Sequence, residues 1–203
     1  MLYCEGVQVS YGKSKLFPPL SFTVKPGTCT VIMGRSGIGK SSLLHAICGS
    51  LEYSGKIECN KTFNVFQDNN QLFPWYTIKK NLDLVCQYSY DDIVVDWNLK
   101  NLLDSKPLNL SGGQRQRFTL IRAICSGANV LLCDEPCSAL DMYTGNNVIK
   151  DFKRILVNRN LSCLWITHNP IEAIEIGDTV LNLTTNGILD ITGERDVTKF
   201  FME

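Results

Sequence analysis

The sequence has no surplus of charge of either sign, with 20 Lys and Arg set against 20 Asp and Glu in 203 residues. That balance argues against nucleic acid as a partner, since electrostatic binding to phosphate backbones leaves a basic footprint. No apolar run approaches the roughly 18–20 residues needed to cross a bilayer, so any membrane association would run through partners. The opening Met-Leu-Tyr-Cys-Glu-Gly lacks a basic stretch followed by an apolar one, and no secretory leader is expected. There is no C-x-x-C among the nine cysteines. The closest pair, Cys133 and Cys137, brackets Asp-Glu-Pro without histidines at zinc spacing. Cys29, Cys125 and Cys163 lie in or beside apolar runs, where a thiol packs as a small hydrophobe. Unpaired thiols belong to a reducing compartment, which points to the cytoplasm. Internal repeats and low-complexity tracts are also missing.

What the chain does contain is alternation, on an apolar content of 44% that can build a core. Residues 1 to about 32 read as short strands with turn signals at Gly12, Pro18-Pro19 and Pro26-Gly27. Cys29-Thr-Val-Ile-Met33 is apolar and β-branched and ends at a glycine, the pattern of a buried strand. From Lys40 the spacing of Leu43, Leu44 and Ile47 becomes helical and stops near Gly49. A stretch from about 69 to 113, richer in Asn, Asp and Lys with scattered aromatics, reads as an inserted lobe of short helices. A helix over Gln114 to Ser126 follows, with Phe118, Ile121, Ala123 and Ile124 on its apolar side. Then come a strand at Val130 to Cys133, a helix around 144–158 and a strand at Leu161 to Thr167. This order predicts one α/β domain with a mainly parallel sheet and helices on both faces. Residues 1–68 and 114–203 would form the core, with a small antiparallel β region at its N-terminal end.

Gly34-Arg-Ser-Gly-Ile-Gly-Lys-Ser41 fits G-x-x-x-x-G-K-[ST] between a strand and a helix. Glycines let backbone N–H groups curl around phosphate oxygens, and the following helix turns its positive end to the same anion. Gly34, Arg35, Ser36, Gly37, Ile38, Gly39, Lys40, Ser41 and Ser42 are therefore nucleotide-binding candidates in a P-loop NTPase core. Lys40 would meet the β- and γ-phosphates, and the Ser41 hydroxyl would meet Mg²⁺.

Val130-Leu-Leu-Cys-Asp-Glu-Pro136 puts two acids at the carboxyl end of an apolar strand, where open α/β sheets bind ligands. Asp134 suits the metal shell and Glu135 suits a general base for water; alone, such a strand end is often simply solvated. Leu110-Ser-Gly-Gly-Gln-Arg-Gln116 offers a second anion cradle, with Ser111 able to cap the helix behind it. One nucleotide does not need two such cradles, which suggests that Ser111, Gly112, Gly113 and Gln114 serve the nucleotide of a neighbouring copy.

The order of Gly-rich loop, Leu-Ser-Gly-Gly-Gln and apolar strand with Asp-Glu-Pro resembles the ATP-binding-cassette (ABC) ATPases from Tyr11 to about Val180. The resemblance implies an adenine-stacking aromatic at Tyr11, a metal- and nucleotide-contacting glutamine at Gln67, a dimer-contact loop at Ser138-Ala-Leu-Asp141, and a γ-phosphate-contacting switch at His168. Taken singly, Tyr11, Gln67 and His168 would read as a core aromatic, a surface amide and a satisfied histidine. It further implies ATP and Mg²⁺ as ligands, Lys40, Glu135 and His168 in catalysis, and a head-to-tail dimer that closes on ATP and opens after hydrolysis.

Gln67 to Asn81, with Gln-Leu-Phe-Pro-Trp75, is similar to cassettes that power nitrate, sulfonate or taurine uptake, and His168-Asn-Pro-Ile-Glu-Ala173 resembles importer subunits. An importer would bring integral permease subunits, docked at a groove near Gln67–Tyr76, and a separate substrate-binding protein, with this chain peripheral on the inner face of the cell membrane. Phe73, Pro74, Trp75 and Tyr76 either flank that groove or fill the lobe's own core. An exporter or lipoprotein-release ATPase would share every catalytic residue. A soluble ABC ATPase would usually carry two cassettes or a long coiled-coil insertion, and a pure ATP sensor would have little need of Glu135 and His168. The stretches from Lys40 to Gln67 and from Gln67 to Ser111 are short, so the antiparallel sheet and lobe should be trimmed. Asn169 stands where aspartate is common.

Overall fold

The computed structural model describes residues 1–11, 14–66 and 71–194, leaving out the side chain of Tyr11. In chain order the elements are β1 (Leu2–Tyr11), β2 (Ser14–Lys15), β3 (Leu20–Val24), β4 (Cys29–Met33), α1 (Lys40–Ile47), β5 (Tyr53–Cys59) and β6 (Thr62–Val65). Then follow α2 (Ile78–Asp83), α3 (Asp91–Asp96), α4 (Gly112–Cys125), β7 (Val130–Asp134), α5 (Met142–Asn158), β8 (Ser162–Ile166), α6 (Pro170–Ile176), β9 (Thr179–Thr184) and β10 (Gly187–Asp190).

Strands β10-β9-β4-β8-β7-β6 form one sheet in that order, parallel except for the β10 edge. Strands β4, β7 and β8 are buried along their whole length, as expected where both faces of a parallel sheet are covered. Side-chain alternation assigns the two faces. Val31, Met33, Leu131, Cys133, Cys163 and Trp165 join the core under α4 and α5, where Trp165 meets Phe152 edge-on at 5.3 Å. Ile32, Val130, Leu132, Leu164 and Ile166 face the other way, into a core shared with α1 and the N-terminal strands.

Those N-terminal strands make the antiparallel layer, in which β1 pairs with β2, β3 and β5. The register of β1 slips around Gly6, whose φ of +59° suits a bulge. Between β6 and α4 lies the lobe, with α2, α3 and two 3₁₀ turns at Lys100–Leu102 and Pro107–Asn109. Helix α4 begins at Gly112 rather than Gln114, because Ser111 and Gln114 form a reciprocal capping box that lets two glycines enter the first turn. Similarly α5 starts at Met142 because Asp141 accepts from the Thr144 N–H. All nine cysteines are free thiols, and Cys59 is the exposed one. Among the described residues no helix is long and apolar enough to cross a membrane.

Candidate active site

The loop after β4 owes its shape to three glycines with positive φ: Gly34 at +146°, Gly37 at +80° and Gly39 at +109°. Two of them also lack room. A Cβ at Gly34 would lie 2.6 Å from the Leu183 carbonyl oxygen, and one at Gly39 would lie 2.9 Å from the Phe17 ring. Around Gly37 no described residue lies within 4 Å of that position, and Arg35, Ser36 and Gly37 are exposed. The result is a backbone cradle open on one side and held by packing on the other. Lys40 begins α1 and is buried, its Nζ donating to the carbonyls of Gly34 at 2.7 Å and Arg35 at 2.9 Å. Burial pushes its pKa down, and the charges of Glu135 and Asp134 oppose that shift.

Strands β4, β8 and β7 are neighbours, so their carboxyl ends bring Lys40, His168 and the two acids together. Asp134 ends β7, buried; desolvation raises its pKa, while a hydrogen bond with Ser41 holds it down. Glu135 follows with φ +47°, a left-handed conformation rare for a residue with a Cβ. Its N–H donates to the Ile166 carbonyl at 2.9 Å, and its Oε1 lies 2.7 Å from His168 Nδ1. His168 itself is mostly exposed, but its neighbours are anchored. The Thr167 hydroxyl donates to Glu172 at 2.8 Å and accepts from the Asn169 N–H at 3.0 Å. Asn169 caps α6, accepting from the Ile171 N–H at 3.0 Å, a task that Asn and Asp do equally well.

The Leu-Ser-Gly-Gly-Gln segment sits at the N-terminal end of α4, with Ser111 exposed. Its glycines abut the loop after β7: a Cβ on Gly113 would lie 3.0 Å from Leu140 Cδ2 and 3.3 Å from the Ala139 oxygen. One residue that sequence reasoning passed over lies here. Gln116 is 2% exposed, donates from Nε2 to the Glu135 carbonyl at 3.3 Å and accepts at Oε1 from the Ala139 N–H at 2.9 Å. The readable signal was its register, four and eight residues ahead of the buried Leu120 and Ile124.

Residues 17–138 match the family model described as ABC transporter. The chain belongs to the ABC transporter family. The aliphatic sulfonates import ATP-binding protein SsuB of Corynebacterium glutamicum is 34% identical, over 94% of this chain and 85% of that protein. The spermidine/putrescine import ATP-binding protein PotA of Bacillus cereus is 28% identical over 95% of this chain, which spans 66% of that protein's length. A metal-chelate type ABC transporter in an inward-facing conformation is similar in structure, with TM-score 0.80 and 26% identity over 93% of this chain and 81% of that chain. A dimeric ATP-binding cassette in a post-hydrolysis state bound to ADP and phosphate shares the fold, with TM-score 0.80 and 23% identity over 95% of this chain and 100% of that one.

The residues present fit a magnesium nucleotide of the kind ABC proteins bind. Gly34 and Gly39 hold a cradle that a Cβ would fill. Ser41 and Asp134, already in contact, offer a hydroxyl and a carboxylate. Among the described residues no cluster of three or more His, Cys, Asp or Glu exists to cage an ion, and Mg²⁺ typically takes one or two protein oxygens plus phosphates. Gln67 and the Tyr11 side chain lie outside the described residues.

The aromatic segment of this ABC chain is at the surface. Phe73, Trp75 and Tyr76 are exposed and pack on one another at centroid distances of 5.8–6.3 Å. Beneath them Arg122, near the end of α4, donates to the Gln71 carbonyl at 2.5 Å and holds its guanidinium 5.5 Å from the Phe73 ring. Burial lowers its pKa, and its Nε has no hydrogen-bond partner among the described residues.

Proposed function

We propose that this chain is the ATP-hydrolysing subunit of an ABC importer, Mg²⁺-dependent and active as a head-to-tail dimer. The observation that carries the reading is the Glu135–His168 pair, 2.7 Å apart at adjacent strand ends beside Lys40. Lys40 and the loop Gly34–Ser42 bind and orient the triphosphate. Glu135 takes the proton from the attacking water, and His168 fixes the carboxylate while facing the γ-phosphate side. Ser41 and Asp134, with Gln67, would hold Mg²⁺, which supplies charge neutralisation across the β- and γ-phosphates. Tyr11 stacks on the adenine. Ser111, Gly112, Gly113 and Gln114 cap the nucleotide held by the other copy, a capped helix end being suited to an anion.

The sulfonate- and polyamine-import relatives support import over export. An importer places this chain on the cytoplasmic face of the cell membrane, bound to permease subunits through the Phe73–Tyr76 cluster and served by a separate substrate-binding protein. Cargo selection belongs to those subunits. In the test, wild type shows Mg²⁺-dependent phosphate release. Glu135→Gln lowers it by about 10²–10⁴-fold, the usual share of general-base catalysis, yet elutes as a dimer with ATP. Glu135→Gln turning over at the wild-type rate, or wild type inert at every protein concentration with saturating Mg-ATP, defeats the reading.

A further inference from the structure

We propose that Gln116 is a positioning residue, whose carboxamide clamps the backbone of Glu135 to the Ala139 loop and so aims the Glu135 carboxylate. The proposal rests on the reading of Glu135 as the base. Gln116 occupies a buried register of α4, ahead of Leu120 and Ile124, where an apolar side chain would pack without needing partners. Instead both ends of its amide are engaged. Nε2 can only donate and meets the Glu135 carbonyl at 3.3 Å; Oε1 can only accept and meets the Ala139 N–H at 2.9 Å. A flipped amide would break both contacts, so a single orientation is locked.

Glu135 needs such a clamp. At φ +47° its backbone sits where residues with a Cβ persist only if their surroundings hold them. The Ile166 carbonyl holds its N–H from β8, and the Ser138 N–H reaches its carbonyl at 3.1 Å. Gln116 supplies a hold from α4. Were the 135 peptide to relax, the carboxylate would swing away from His168 Nδ1. The other end of the amide holds Ala139, the residue that Gly113 closely approaches. One side chain therefore ties the base of its own site to the helix whose tip serves the neighbouring copy.

Two variants separate the contacts. Gln116→Glu keeps an acceptor for the Ala139 N–H and, once its carboxyl is ionised, offers no donor to the Glu135 carbonyl. It is therefore assayed at alkaline pH, where burial no longer keeps that carboxyl protonated. Gln116→Met removes both. We expect kcat to fall roughly 10- to 100-fold in each, the scale of a misplaced catalytic group, with KM for ATP within about twofold. Thermal midpoint and nucleotide binding report folding; if Gln116→Met folds poorly, Gln116→Glu carries the test. Single-turnover rates in the Glu135→Gln background then discriminate mechanism. If Gln116 acts through Glu135, Glu135→Gln/Gln116→Glu is no slower than Glu135→Gln alone. Multiplying losses would instead mark a merely structural residue and overturn the proposal, as would an unchanged kcat in a folded Gln116→Glu. The loss of about 10²–10⁴-fold expected of Glu135→Gln alone checks the underlying reading separately.

Discussion

Two neighbouring glycines of the phosphate loop should respond very differently to the same methyl group. Gly37 and Gly39 both carry positive φ, +80° and +109°, so alanine at either pays backbone strain of about 1–3 kcal/mol. Only at Gly39 does the new Cβ also collide, 2.9 Å and 3.1 Å from Phe17 ring atoms and 3.2 Å from Leu16 Cδ1. Phe17 is 2% exposed and packed in the core shared by β1, β3 and α1, so its ring cannot step aside freely. Overpacking of that kind costs about 1–3 kcal/mol more. Gly39→Ala should therefore lose about 2–6 kcal/mol, and Gly37→Ala about 1–3. In a domain of this size each kcal/mol lowers Tm by about 2–4 °C. Thermal unfolding of the two variants without nucleotide measures the gap. Isothermal titration with ATP should show weaker binding for both, since each disturbs the cradle. Equal Tm values for the two variants would refute the steric reasoning.

Gly113→Ala should separate stability from assembly. Alanine is the better helix former by about 1 kcal/mol, but its Cβ would press on Leu140 and the Ala139 oxygen and push the 138–141 loop outward. The expected result is a Tm close to wild type with loss of the ATP-dependent dimer on a sizing column. Asp141 gives a pH prediction. Hydrogen bonds from Thr144 hold its carboxyl below the ordinary value of 3.8, so its cap contributes fully above that value and is lost as pH falls through the lower folded one. Denaturant unfolding of Asp141→Asn, which caps at any pH, should depend less steeply on pH below about pH 4 than wild type; identical slopes would contradict it.

The central strands were legible because both faces are covered, so Cys29–Met33 and residues 130–133 read as near-continuous apolar runs. The glycine loop and the helix after it were legible because phosphate binding restricts residue types at fixed spacing. By contrast, β5 was hidden: all its residues but Ile57 are exposed, and backbone pairing with β1 alone makes it a strand. Strand β6 has one fully buried residue, Val65, in four and owes its place at the sheet edge to β7. The start of α4 was misjudged because glycine argues against helix, whereas the capping box outweighs that propensity locally. Among the candidate residues, Lys40 and Glu135 are suggested by pattern and His168 by the family resemblance. Gln116 offers only the hint of its helical register, since its role depends on where the β7–α5 loop returns in space.

Helix α4 has a mechanical consequence that neither end suggests alone. From Ser111 to Arg122 it is a single uninterrupted rod of about 16 Å, at 1.5 Å per residue. At one extremity stands the serine–glycine tip; near the other, a buried guanidinium braces Phe73 and grips the Gln71 carbonyl. If the exposed rings are the docking face proposed above, a push on them along the helix axis would be carried to the serine–glycine tip, because an α-helix resists axial compression. A nucleotide clamped at the tip would, in return, set the stance of the surface offered to a docking subunit.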